Sequence, residues 1–576
     1  MKKFYLNPFF FLVSLFHFMG YSQIGFYEVP LKSQVESSKL IIEGEVISKR
    51  AFWDEKQEKI YTVNTIEISK VFKGISGNLI DVLTLGGNVG DIALTVSHSP
   101  NLHEGDFGVF FLRETNKALK RNDTSKNKEY EIYSGMQGYY KYDEISQSIK
   151  NIFSIYKNSD NEFYNLIKGY TNIDYYEKQV IDRSAKIISG KLVPFISNFS
   201  PTSSAAGVGA EIVINGFTFG TTKGKVQFSN ANDGGTSFID ALDSEVTNWT
   251  NTSITVKVPS RAGTGPIRVL DASGFSSTSS GSLTIPYAII NNSGVMQQHY
   301  DTNGSGGYTW QMSSDFNTHV AREPFLRAFN TWVCETGVNW EISSSTTFAS
   351  SFARDGISVI AFDTSTDELD AGVLGATLNW TSSCTAGRVI DEIDFIFDDE
   401  RSNWNYSETN AGPGEVDFET VVLHELGHGH ALAHVISPGS LMHFSISNGS
   451  TIRTLDANDM AAGEFVHNIS VNNPKCSKNP MISISCPPLS ISEIDLASAI
   501  KLYPNPTKGK LFVKTDSSIR LERIYVYDIS GRLLKRYDLT PSMDLEYLNF
   551  STASSGVYFI KIYTENTSIS KRIVFE

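Results

Sequence analysis

Residues His424–His434 read HELGHGHALAH, and Met442 follows eight residues later in Ser440-Leu441-Met442-His443. His424 and His428 are four apart, so on a helix they lie one turn above each other on the same face and can aim their ring nitrogens at one ion. Glu425 lies beside them. In the H-E-x-x-H pattern two imidazoles bind zinc and the carboxylate acts as a general base toward water. His434 stands ten residues after His424 and is the expected third ligand. The helix is expected to start near Asp417, whose side chain can cap the first-turn amides of DFETVVLHELGH. Phe418, Val421, Val422 and Leu426 then face the core.

At 576 residues the chain exceeds what one core usually supports, and length alone suggests roughly three to five domains. Aromatics make up 12% of the residues and charged side chains 19%. With abundant Ser, Thr, Asn and Gly, this composition fits β-rich extracellular modules better than a helical cytosolic enzyme. The net charge of -14, without a dense Lys/Arg run, argues against a nucleic-acid partner. Residues 1–23 read as a secretory signal peptide: Lys2 and Lys3, an apolar core from Pro8 to Met19, then Gly20, Tyr21 and Ser22. No later stretch has the apolar length of a membrane helix. The four cysteines, Cys334, Cys384, Cys476 and Cys486, allow three connectivities if all are oxidised. The expected pairs are Cys334 with Cys384 and Cys476 with Cys486; buried free thiols are the alternative.

Residues 24–190 alternate as strands do, in Leu40–Ile47, Tyr61–Phe72, Leu79–Leu85 and Gly108–Leu112, and predict a β barrel or sandwich. Nothing in this segment suggests chemistry, and its role stays open among structural, binding and inhibitory packing on the rest of the chain. Residues 191–288 are short strands joined by Gly, Pro and Ser turns. Ser200-Pro201-Thr202 with Gly207, Asn215-Gly216-Phe217, Thr252–Val256 and Gly263-Thr264-Gly265 resemble the immunoglobulin-like IPT/TIG family, which implies a spacer or contact surface.

Residues 289–470 hold the histidine motif. Phe325, Ala328, Phe329, Trp332 and Val333 form one apolar helix face. Strands are expected at Tyr308–Ser313, Trp340–Ser343, Ile357–Phe362, Gly372–Trp380 and Ile390–Phe397, forming a mixed sheet that carries the histidine helix. This order of elements, with the long histidine motif and a following Met turn, resembles the metzincin zinc endopeptidases and, within them, the matrixin branch. The resemblance implies an α+β protease fold in which His424, His428 and His434 hold one Zn2+, Glu425 is the general base and Met442 forms a floor beneath the site. It also implies that Gly372–Leu378 is an edge strand along which an extended peptide pairs.

Departures accompany the resemblance. The family places Gly where this chain has Ala431, at the turn that brings up the third ligand. His430 is a spare imidazole, and Asp459 is an alternative third ligand. Phe444 has no hydroxyl to assist an oxyanion, so catalysis would lean on zinc and Glu425. No Cys precedes Cys334, so latency through a propeptide thiolate on the metal is not available. Acidic clusters at Asp363, Asp367 and Asp370, and at Asp398, Asp399 and Glu400, suit Ca2+ by residue type or are solvated loop carboxylates.

Residues 471–495 read as a linker, and residues 496–576 as a further set of strands. Tyr503-Pro504-Asn505-Pro506, Tyr527-Asp528 with Gly531-Arg532, and Ser555–Tyr558 resemble the type IX secretion C-terminal sorting domain. That resemblance implies export, with the secretion machinery as a partner and release or surface anchoring as the outcome. The combined expectation is a multidomain, secreted or cell-surface, monomeric zinc endopeptidase acting on extracellular proteins or peptides. The rival is a catalytically inactive surface adhesin on a protease-like scaffold.

Overall fold

The computed structural model describes residues 26–115, 127–143, 148–157, 162–179, 193–348, 352–363, 369–399, 403–445, 449–486, 500–514, 521–529, 532–539, 545–549, 554–564 and 568–576. The expected leader lies outside the described residues. The chain divides into two compact units, Met1–Ile484 and Ser485–Glu576.

In the first unit, the alternating segments near the start close into a five-stranded ring. Leu40–Trp53, Ile60–Lys73, Leu79–Leu85, Glu129–Ile132 and Phe107–Glu114 pair in that order, and the last pairs back onto the first. Inward-facing Ile42, Val46, Ile66, Val82 and Leu112 fill the barrel. Ile41, Phe72 and Phe111, on the other face, pack with Val35, Phe163 and Ile167 at helices Leu31–Ser37 and Tyr164–Thr171. Between barrel strands Leu79–Leu85 and Phe107–Glu114 the chain leaves the barrel. It forms a hairpin, Gly87–Val89 with Ile92–Val96.

Residues 195–283 form two four-stranded antiparallel sheets. One contains Phe195–Ser200, Glu211–Phe217, Ser253–Lys257 and Val246–Trp249, and the other Phe238–Asp240, Lys225–Asn230, Ala262–Leu270 and Ser276–Leu283. Alternation sets the core: Ile212, Ile214, Val226, Phe228, Ile254 and Ile267 are buried, while most of their strand neighbours are more exposed. The chain then runs through Ala288–Ile289, which pairs with Leu432–Ala433 just beyond the histidine helix.

The sheet beneath that helix has the order Trp340–Ile342, Tyr308–Met312, Ser358–Phe362, Gly387–Phe397, Gly375–Cys384. The first four strands are joined in parallel, and the last hairpins back antiparallel. The aromatic face of helix Arg322–Thr336 is core, with Phe325 and Trp332 fully buried. The strand expected to lie at the edge is covered: Ile92–Val96 pairs antiparallel with it, Val96 opposite Leu378 through Ile92 opposite Ser382. Leu94 shares a hydrophobic cluster with Leu378, Trp380 and Ile396, and Trp53 stacks on Trp380 at 5.9 Å between ring centroids.

The expected disulfide pairing is corrected. Cys384 is bonded to Cys476, and Cys334 and Cys486 are likewise disulfide-bonded. Cys384 ends its strand opposite Gly387, and the chain leaving helix Ala457–Asn472 passes over this hairpin, Lys475 lying against Gly387. A contact between segments 92 residues apart carries no local signature.

The second unit is all β. One sheet contains Lys501–Tyr503, Lys510–Lys514 and Leu545–Asn549, and the other Leu533–Asp538, Leu521–Asp528, Gly556–Thr564 and Ser568–Phe575. Its core is mainly aliphatic, with Leu511, Val513, Ile524, Ile560 and Ile573 buried beside Tyr558 and Phe575.

Candidate metal centre

Helix Phe418–Gly429 starts at Asp417, whose carboxylate accepts the Thr420 N–H at 3.0 Å. Arg453 binds the same carboxylate, its Nε donating at 3.0 Å. All twelve residues of the helix are buried, so it is a core element wedged between the sheet and helix Arg322–Thr336. Trp332 Nε1 donates to the Leu423 carbonyl at 2.8 Å. Gly427 permits the close approach of Met442: a Cβ there would lie 2.5 Å from the Met442 sulfur. Met442 thus packs directly beneath the helix turn that carries His424 and His428.

The helix ends at His430, and Ala431 takes φ +66°. This is the left-handed turn for which glycine is preferred, at a cost of roughly 1–2 kcal/mol for a residue with a Cβ. Tertiary pairing holds it: the Ala431 carbonyl accepts from Ile290 N–H at 2.7 Å and its own N–H donates to the His428 carbonyl at 2.9 Å. The turn brings His434 back over the helix. Its Nε2 lies 3.3 Å from His424 Nε2 and 3.1 Å from His428 Nε2.

The outer ring nitrogens decide the tautomers. His424 Nδ1 faces the Leu441 carbonyl at 2.8 Å, His428 Nδ1 the Leu432 carbonyl at 2.8 Å, and His434 Nδ1 the Asn232 Oδ1 at 3.0 Å. Oxygens of this kind only accept, so each Nδ1 carries the proton and each Nε2 presents a lone pair. The His434 lone pair faces those of His424 and His428 at 3.3 and 3.1 Å, which is repulsive unless a cation sits among them. Zn–N bonds of about 2.0–2.1 Å in tetrahedral geometry place nitrogens about 3.3–3.4 Å apart, so the donor set fits zinc. Burial keeps the rings neutral, as ligation requires. His424 is pushed down to about 3 by burial and then by His428, and burial also lowers His428 and His434.

Glu425 is fully buried beside this trio. It accepts from Thr377 Oγ1 at 2.7 Å and Ser97 Oγ at 3.2 Å, and His98 Nε2 lies 2.9 Å from its other oxygen. Burial raises its proton affinity, but the His98 imidazole beside it, followed by His428 and His424, holds it below the usual carboxylate range. His98, His424, Glu425 and His428 offer ligand atoms that all lie within 4.8 Å of one another. A cavity of about 470 Å³, lined among others by Ser97, Asn232, Arg261, His428 and His434, reaches the centre from the side.

The two alternative ligands are placed elsewhere. His430 Nδ1 lies 3.2 Å from His299 Nε2, in a pocket with Trp332 and Trp340. Asp459 belongs to the capping box of helix Ala457–Asn472, its carboxylate accepting from Asp456 N–H at 3.0 Å. Calcium finds no support: Asp363 accepts from Leu369 N–H at 2.9 Å and Asp370 pairs with Arg113 at 3.2 Å. Asp367 and Glu400 lie outside the described residues. Four residues at the centre escaped the sequence reading: Ser97, His98, Asn232 and Thr377. Thr377 lay within a recognised strand; the others come from segments with no motif.

Residues 307–467 match the matrixin family model, residues 194–287 the IPT/TIG domain and residues 501–576 the secretion system C-terminal sorting domain. No curated protein matches the chain. The matrixin match supports a zinc metallopeptidase, and the sorting domain indicates export to the cell surface or the medium. Among the described residues no helix is long and apolar enough to cross a membrane.

Proposed function

We propose that the chain is an exported zinc endopeptidase in which His424, His428 and His434 hold the metal, Glu425 is the general base and Met442 supports the ligand turn. The observation that carries this reading is the convergence of the His424 and His428 Nε2 atoms on His434 Nε2, at 3.3 and 3.1 Å, beside a buried carboxylate. Zinc, when bound, supplies Lewis acidity toward a peptide carbonyl and toward water. The chain's own residues do the rest. Glu425 takes a proton from the attacking water on a carboxylate oxygen and returns it to the leaving amine. Thr377, which donates to Glu425 Oε2 at 2.7 Å, fixes the orientation of that carboxylate. With Ile92–Val96 displaced from it, the strand Gly375–Cys384 supplies backbone groups to align an extended peptide, so substrates are unfolded or loop segments of extracellular proteins.

Glu425→Gln keeps the size and hydrogen-bonding capacity of the side chain while removing the base. It should retain stoichiometric zinc and lose peptidase activity by roughly 10²–10⁴-fold, measured as cleavage of casein or gelatin by the export-processed protein. Wild-type turnover in that variant, with contaminating protease excluded, sinks the assignment of Glu425. A folded protein that binds no zinc supports the adhesin instead.

A further inference from the structure

The strand that should receive substrate is already taken by this chain's own N-terminal domain. Ile92–Val96 pairs along Leu378–Ser382. Beyond it, Ser97 N–H donates to the Thr377 carbonyl at 3.1 Å, and Ser97 Oγ accepts from Thr377 N–H at 3.0 Å. Ser383 N–H donates to the Asp91 carbonyl at 2.9 Å at the far end. A second N-terminal segment meets the stretch preceding the strand, with Tyr27 N–H donating to the Gly372 carbonyl at 2.6 Å and Phe26 bridged to Val373. From Thr377 to Ser383 the outward edge of the strand is therefore taken by this chain's own backbone and the Ser97 side chain.

His98 follows directly from that strand and enters the centre. It is 3% exposed, its Nε2 lies 2.9 Å from Glu425, and the Phe26 ring packs edge-on against it at 4.6 Å. Its other nitrogen, Nδ1, is buried without a hydrogen-bond partner. A buried imidazole nitrogen without a partner is destabilising, and among the described residues the His98 side chain belongs, with Glu425, to the group able to share an ion with His424 and His428.

Resting on the peptidase reading above, we propose that residues 26–190 form an intramolecular inhibitor, in which Ile92–Val96 occupies the substrate strand's place and His98 closes the centre by engaging Glu425 and donating a ring nitrogen to the metal. The exported protein is latent until this segment is displaced or cut away. With no cysteine before Cys334, an imidazole serves where a thiolate is lacking, and its neutral nitrogen suits zinc.

The test uses the full-length protein loaded with Co²⁺. Wild type, His98→Ala and His98→Gln are compared by Co²⁺ visible absorption, by affinity for a small hydroxamate and by hydrolysis of a quenched fluorogenic peptide. A further variant carries a sequence-specific protease site inserted at the exposed Gly90-Asp91 hairpin tip and is cut in the folded state, with no residue of the centre substituted. The expected result is an altered Co²⁺ spectrum in His98→Ala, with hydroxamate affinity and hydrolysis each raised at least about tenfold in His98→Ala and in the cut protein, because the competent state is no longer masked. If His98→Ala and the cut protein keep the wild-type spectrum, hydroxamate affinity and hydrolysis rate, the inhibitor assignment is overturned while the peptidase reading stands. If no form binds Co²⁺ or zinc, the peptidase reading falls and this proposal with it. Should His98→Ala not fold, the cut protein decides.

Discussion

Asn232 belongs to the immunoglobulin-like domain, 202 residues from His434, yet its Oδ1 is the acceptor for His434 Nδ1 at 3.0 Å. Replacing it with Ala removes that acceptor while the short helical turn Ala231–Asp233 stays held by Asn230, whose side chain accepts the backbone N–H of residue 232. His434 is only 4% exposed, so its Nδ1–H is left poorly solvated, at a cost of about 1–3 kcal/mol. Outer-shell partners of metal-bound histidines typically account for 10–100-fold in metal affinity, which is about 1.4–2.8 kcal/mol. The two routes agree. We therefore expect Asn232→Ala to weaken zinc binding by roughly 10–100-fold, and Asn232→Asp, which restores an acceptor and adds charge, to bind at least as tightly as wild type. The assay is competition with a chromophoric chelator at fixed ionic strength, with circular dichroism as a check on folding. Wild-type zinc affinity in a folded Asn232→Ala protein, or equal weakening in the Ala and Asp variants, would refute the claim that this domain orients the third imidazole.

Other expectations concern the scaffold. Arg453→Met leaves the fully buried Asp417 carboxylate without its cation and should destabilise the first unit by roughly 3–5 kcal/mol; urea denaturation checks it, and Asp417→Asn in the same background should recover part of the loss. Acid should weaken the metal-free protein through His299, which burial and then His467 push down to about 3. A folded-state value below the usual imidazole range means the unfolded chain binds more protons, so stability falls as pH drops below about 6.5 and continues to fall toward about 3. At pH 5.5 the loss from this ring alone is on the order of 1 kcal/mol relative to neutral pH. His424 adds to the slope in the same direction. Comparing denaturation midpoints of wild type and His299→Gln at pH 7.5 and 5.5 isolates the first contribution; equal pH dependence in the two proteins contradicts it.

The docking of three domain types on one centre also explains why Ala431 is tolerated. Its left-handed backbone is held by Ile290 and His428, and the strand Ala288–Ile289 that delivers Ile290 comes from the end of the immunoglobulin-like domain. That domain also packs on the segment after the third histidine, where Phe444 lies against Gly234 and Ile436 against Gly263. It is therefore a contact surface for the site rather than a spacer.

What the sequence determined is what repeats over a few residues. The four-residue spacing of His424 and His428, the capping residue Asp417, the apolar stripe of helix Arg322–Thr336 and the alternation of the β modules are enforced by backbone periodicity, and each is legible without knowing any neighbour. The tertiary structure alone decided the rest. Whether His430 or His434 joins the pair depended on a left-handed residue held by another domain's strand. The pairing of Cys384 with Cys476 depended on where the chain passes after the last helix of the matrixin-like region. His98 and Glu425 are 327 residues apart, and nothing near His98 marks it. Its position follows from a hairpin that leaves one barrel to complete another domain's sheet, a contact fixed by main-chain pairing and by burial of Leu94 and Trp53 against Trp380. Main-chain pairing of this kind accepts many side chains, so it leaves little trace in the sequence.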